Sequence, residues 1–117
     1  MIFSINNSVS ALSAFEQKMQ VIADNVANVN TEGFKKSRAI LKEGPVGDVQ
    51  VDIERIDTPG RPEFETRDGR IIERELSNVD LIEEIPQTIL TQRGFEANLT
   101  LLKTKDEMLG SLIDTMA

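Results

Sequence analysis

Three pairs of neighbouring carboxylates are the residues of this chain best placed by type and spacing to do chemistry: Asp52 with Glu54, Glu63 with Glu65, and Glu83 with Glu84. Two carboxyl groups in different surroundings can divide general-acid and general-base work between them. Nothing in the sequence completes such a site. There is no His and no Cys, which excludes imidazole catalysis, thiolate nucleophiles, disulfides and the usual zinc sites. No Gly-rich phosphate loop, nucleophile elbow or calcium-loop spacing accompanies the acids. The acid pairs therefore read as solvated surface, and the chain as a non-enzyme with no cofactor and no metal. A hydrolase using Glu83 and Glu84 is the reading this rejects; it predicts loss of activity in Glu→Gln variants.

The composition narrows the remaining classes. The 117 residues bound the chain to one domain. Only 4% are aromatic, with no Trp and no Tyr, so the bulk of a core must come from Leu, Ile, Val and five Phe. Such a supply suits long helices packed along a stripe better than a globule with a deep centre. The net charge is −7, with a pI near 4.6. No basic surplus exists to neutralise phosphates, so neither nucleic acid nor an anionic membrane surface is an expected partner. No apolar run approaches the roughly 20 residues that span a bilayer, so no membrane insertion is expected. The N-terminus lacks the pattern of a cleaved signal peptide.

The elements that would position any site are legible in the periodicity. From Ser8 a helix pattern is clear. Ile5, Leu12, Met19 and Val26 recur every seven residues, as do Phe15, Ile22 and Val29. This is a heptad seam, and one helix cannot bury it alone. The stretch Val21–Phe34 then ends the helix. Ala27, Asn28, Asn30, Thr31, Gly33 and Phe34 form a stop in which Asn and Gly tolerate positive φ, so a left-handed cap is expected. Phe34 is expected to cover the last turn. Lys35, Lys36 and Arg38 follow, near the negative end of the helix dipole.

Residues 35–76 carry Pro and Gly and lose the helical period. Val49, Val51 and Ile53 alternate with polar residues as in a half-exposed strand. Asp68-Gly69 between PEFETR and RIIEREL is a hairpin signal. A small antiparallel sheet of two to four strands is expected. Helix returns at Ser77-Asn78-Val79-Asp80, which has the form of a capping box. Pro86 predicts either a kink or a straight run that starts near Ile85. Beyond it, Phe95, Leu102 and Leu109 are seven apart, and Leu99 and Ile113 fit as their seam partners. The predicted fold class is mainly α with a small β part. The terminal helices, in parts 1–34 and 77–117, pair as a coiled coil or antiparallel hairpin around a β-rich insert, 35–76. Leu12, Phe15, Met19, Ile22, Val26, Phe95, Leu99, Leu102, Leu109 and Ile113 form the seam.

Two stretches read together resemble a known family. Ser10–Ala39 is similar to the N-terminal signature of the bacterial flagellar rod and hook axial proteins, through Ala27, Asn28, Asn30, Thr31, Gly33, Phe34 and Lys35. Ser77–Ile113 resembles the C-terminal signature, through Ser77, Asn78, Val79, Asp80, Glu83 and Glu84, then Thr91, Gln92 and Arg93. The resemblance implies a structural subunit of the basal-body rod, a motility component whose terminal helices self-assemble into the axial structure. The implied partners are copies of itself, other rod and hook subunits and the flagellar type III export apparatus. The implied location is the periplasmic rod, reached without a cleaved signal peptide. A short middle segment is closest to the proximal rod protein of the FlgC type, while the C-terminal signature reads more like the distal-rod type. Pro86 stands where the family usually has Met or Val. Phe3 is followed four residues on by Asn7 where early-exported members have Ala, so no export-gate contact is assigned. The alternative reading is a soluble helical adaptor or export chaperone that copies the rod fold.

Overall fold

The computed structural model describes residues 2–116. Met1 and Ala117, the outer bounds expected for the helical part, lie outside the described residues, as do the side chains of Ile2 and Phe3. The elements run α1 (Ile2–Ala27), β1 (Ser37–Glu43), β2 (Val49–Arg55), β3 (Pro62–Arg67), β4 (Arg70–Glu75) and α2 (Leu81–Met116). The fold is mainly α with a small β part between two helices. Its extents are 84 × 25 × 16 Å, and its radius of gyration is 21.0 Å. A compact domain of this length would have about 13 Å, so the chain is a rod-shaped body.

The helices pack against each other in opposite directions. Phe15 of α1 lies against Gly94 of α2. Eleven residues earlier on α1, Ser4 receives a hydrogen bond from Lys105, which is eleven residues later on α2. α1 begins at Ile2, well before the Ser8 start expected from the pattern. Ser8 and Ser10 lie inside it, and their hydroxyls donate back to the carbonyls of Ser4 and Asn7.

The strands form two separate antiparallel hairpins. β1 and β2 lie on α1, where Ala39 is buried and the Val49 amide donates to Ser10 Oγ at 3.0 Å. β3 and β4 turn at Asp68 (φ 54°) and Gly69 (φ 74°), the two positive-φ positions of a type I′ turn. Among the described residues this second hairpin packs on neither helix. Its face with Phe64 and Ile71 is open, at 66% and 76% exposure.

α2 departs from expectation at its start. Asp80 is the cap, its carboxylate accepting the Ile82 amide at 2.9 Å. Ser77 instead accepts the Val79 amide at 3.1 Å and closes a local turn before the helix. The helix is continuous from Leu81 through Pro86, so it does not begin at Ile85. The proline falls in the second turn, where its missing N–H frees only the carbonyl of Ile82, a residue at the exposed surface.

Candidate assembly site

The two stretches singled out in the sequence meet at one end of the helix pair. α1 ends because its side chains capture the backbone. Asn28 Nδ2 donates to the Asp24 carbonyl at 2.8 Å, and Thr31 Oγ1 donates to Asn28 Oδ1 at 3.1 Å. Gly33 is left-handed at φ 71°, six residues beyond the helix end. Asn28 and Asn30 are not in that region, so the stop works by side-chain hydrogen bonds, not by an Asn in a left-handed cap. Asn30 is exposed on a groove shared with Ser77, Asn78 and Asp80. Phe34 is half-buried, and its carbonyl accepts the Asn78 amide at 3.2 Å.

Two asparagines then clamp the junction. Asn25 is 0% exposed inside α1. Its amide donates to the Ser37 carbonyl at 2.8 Å, and its carbonyl accepts the Ser37 amide at 3.0 Å. This fixes the start of β1 on the end of α1. Asn78 accepts the Lys36 amide at 2.7 Å and donates to the carbonyls of Ile56 and Thr58 at 2.8 and 2.9 Å. Three backbone segments are thereby tied in front of α2. Val79 is buried beside them. Gly60 is needed here, because a Cβ would stand 1.7 Å from the Leu76 carbonyl oxygen.

The basic cluster after α1 serves this junction and not the helix dipole. Lys35 pairs with Glu75. Lys36 reaches Glu83 at 2.8 Å, and Arg38 reaches Glu83 at 2.5 Å and Glu84 at 3.4 Å. The hydrogen bond from Lys35, with a second from the Gly60 amide, holds the Glu75 carboxyl below the ordinary glutamate range. The hydrogen bond from Lys36 does the same for Glu83 against some desolvation, with Arg38 adding its charge. Of the Glu83–Glu84 pair, Glu83 is exposed but ion-paired, and Glu84 is not solvated surface. Glu84 is 0% exposed, and neither of its oxygens accepts a hydrogen bond. Among the described residues no cluster of metal-ligating side chains occurs.

Between the helices the contact row is more polar than the apolar pattern suggested. On α2 it runs through Glu84, Thr88, Thr91, Phe95, Asn98, Leu102, Lys105 and Leu109, which are buried or half-buried at alternating spacings of four and three. Phe95, Leu102 and Leu109 were named from the sequence. Leu99 and Ile113 lie one position off the row, at 50% and 58% exposure. On α1, Ile22 is buried, Leu12, Phe15 and Met19 are half-buried, and Val26 is exposed. Phe15 and Met19 line a notch of about 370 Å³ with Thr91, Gln92 and Phe95. Gln92 and Arg93 face solvent, each bonded to Glu96. Thr88, Asn98 and Lys105 went unseen because apolarity was the criterion, while Glu84 and Thr91 were named through the C-terminal signature and not as seam residues. Lys105 holds the far end by donating to the Ser4 carbonyl and to Ser8 Oγ at 3.0 and 2.8 Å. Asn25 carried one signal: an Asn inside a helix, beside Ile22 and Val26, disfavours helix unless its side chain has a partner.

An antiparallel helix pair clamped at one end by a β junction, where Glu75 and Glu83 are ion-paired and Glu84 is buried, defines an elongated structural module. Residues 5–35 match the family of flagella basal body rod proteins, and residues 73–115 match the C-terminal family of the flagellar basal body rod FlgEFG proteins. The chain belongs to the flagellar rod and hook family, which is structural and non-enzymatic. It is 46% identical over 43 residues to the flagellar basal-body rod protein FlgG of Bacillus subtilis, covering 37% of this chain and 16% of that protein. It is 46% identical over 39 residues to the flagellar hook protein FlgE of Borreliella burgdorferi, covering 33% of this chain and 9% of that protein. The chain thus matches well under a fifth of the length of either relative.

Proposed function

We propose that this chain is a structural subunit of the bacterial flagellar basal-body rod that polymerises through its terminal helices into the axial drive shaft. One observation carries the reading. The two family-matched segments are the two helices with their junction, and the fold packs these segments on each other. The terminal helical part, 1–34 with 77–117, is the assembling core, and 35–76 is an insert. The seam residues, the helix-stop motif and the motif at Ser77–Asp80 are assigned to subunit packing and to the turn from helix to sheet. Coiled-coil packing of the helices belongs to the assembled state. Partners are copies of this chain and other axial subunits, delivered by the type III export apparatus to the periplasmic rod. The short middle segment supports a proximal position of the FlgC type, and the FlgEFG match supports a place nearer the hook.

The test is mass spectrometry of hook–basal bodies purified from the source cell. The expected result is this chain at rod-like stoichiometry. Its absence, with the chain abundant in the cytoplasm, would overturn the proposal in favour of an adaptor.

A further inference from the structure

α2 carries a second row that its own chain leaves uncovered. It lies one position back from the row that meets α1 and runs through Leu90, Gly94, Ala97, Leu101, Thr104 and Met108, then on through Ser111 to Thr115. The spacings alternate four and three along its whole length, the pattern of a seam for a second helix. Gly94 is half-buried against Phe15, and the rest of the row is exposed. Beyond the first turn α2 holds Arg93, Glu96, Lys103, Lys105, Asp106, Glu107 and Asp114, and none falls on this row. The parallel row one position forward, through Leu99 and Ile113, includes Glu96, Lys103 and Asp106. Charge has been kept from one flank of the helix and not from the other.

α1 has a counterpart. Val9, Ser13, Gln20, Ala23 and Ala27 are exposed along one line, with Glu16 its one charge. They are mostly small where the α2 row has Leu and Met. The part of the α2 row from Leu90 to Met108 and the α1 line from Val9 to Ala27 each cover 19 positions, roughly 28 Å at 1.5 Å per residue. The two rows cannot meet within one molecule. A step back on α2 and a step forward on α1 turn the same way in a parallel pair but to opposite faces of an antiparallel one.

From this, and resting on the rod-subunit reading, we propose that the α2 row through Leu90, Leu101 and Met108 docks on the Val9–Ala27 line of a second copy of this chain. Because the two surfaces differ and face opposite ways, the contact is heterologous and repeats from copy to copy without closing into a dimer. It is continuous with the intrachain helix contact through Gly94, whose missing side chain lets helices approach closely.

The chain has no Cys, so introduced thiols report without background. Leu101→Cys carries one tag. A set of Val9→Cys, Ser13→Cys, Gln20→Cys and Ala23→Cys carries another, so that no register is presumed. The pairs are oxidised both as purified full-length protein and in hook–basal bodies. The expected result is a mixed disulfide between Leu101→Cys and at least one α1 position, lost when Leu99→Cys replaces Leu101→Cys. Leu101→Glu with Met108→Glu is expected to lose incorporation while Leu99→Glu keeps it. Disulfides formed only between two Leu101→Cys chains, or only to a different protein, would overturn the inference. Incorporation without any mixed disulfide would overturn it and leave the rod reading standing. Mixed disulfides in purified protein without incorporation would uphold the docking and overturn the rod reading.

Discussion

At the scale of single residues, the junction depends on polar side chains that cannot be exchanged for apolar ones. Asn25→Ala removes two hydrogen bonds and leaves the backbone N–H and C=O of Ser37 short of a partner. The expected loss is about 2–4 kcal/mol, read from denaturant unfolding followed by circular dichroism. Gly33→Val meets no neighbour, since nothing lies within 4 Å of a Cβ there. Its cost is the backbone conformation alone, about 1–2 kcal/mol, and Gly33→Asn should cost less. Under the rod proposal Gly33→Val also fails to assemble; normal assembly would remove the turn from the argument. The lowered pKa of Glu83 has a definite sign. Its folded value lies under its unfolded one, so its ion pairs stabilise fully above the unfolded pKa and are lost as pH falls through the folded one. The difference in melting temperature between the native chain and Glu83→Gln should therefore be full at neutral pH, begin to shrink as pH falls below about 4.3, and be lost only as pH passes under the lowered folded value. The stop motif was legible in the sequence because Asn, Thr and Gly advertise a helix end. The burial of Glu84 was not, because only the fold brings Arg38 beside it across 46 positions of chain.

At the scale of elements, both helices, strand β2 and the second hairpin follow from local pattern: the seven-residue recurrences, the alternation of Val49, Val51 and Ile53, and the Asp-Gly turn. β1 and the division of the expected single small sheet into two hairpins do not. The seam partners were harder to read. An apolar criterion chose Leu99 and Ile113, whereas packing chose Thr91, Asn98 and Lys105, which satisfy or expose their own polar atoms. Asn98 does so by donating to the Gly94 carbonyl at 2.9 Å. Close approach is set instead by Gly94, where a Cβ would stand 2.6 Å from the Phe15 ring. Gly94→Ala should destabilise the helix pair by about 1–3 kcal/mol, and Phe15→Leu in the same chain should recover part of that loss. A double-mutant cycle on thermal unfolding measures both. If the two losses simply add, the ring is not what limits the approach.

At the scale of the whole molecule, the rod shape divides the chain into parts of unequal dependence. Among the described residues the second hairpin packs on neither helix and is tied at its base, where the Glu75 carbonyl accepts the Gly33 amide at 2.9 Å, Glu75 pairs with Lys35 and Arg74 lies 3.9 Å from Glu32. Phe64→Thr with Ile71→Thr should leave the unfolding midpoint of the helices unchanged within about 0.5 kcal/mol. A larger shift would mean that the hairpin's open face is covered by the chain itself. The antiparallel clamp has a mechanical consequence. Hydrogen bonds near 3 Å give way over a fraction of an ångström, whereas contacts between side chains along a row lose little when one helix slides slightly past another. Pulled along its long axis, the molecule should strain gradually over the helix row and fail abruptly at Asn25 and Asn78. Its stiffest point under load is therefore the corner where the chain leaves one helix and enters the other.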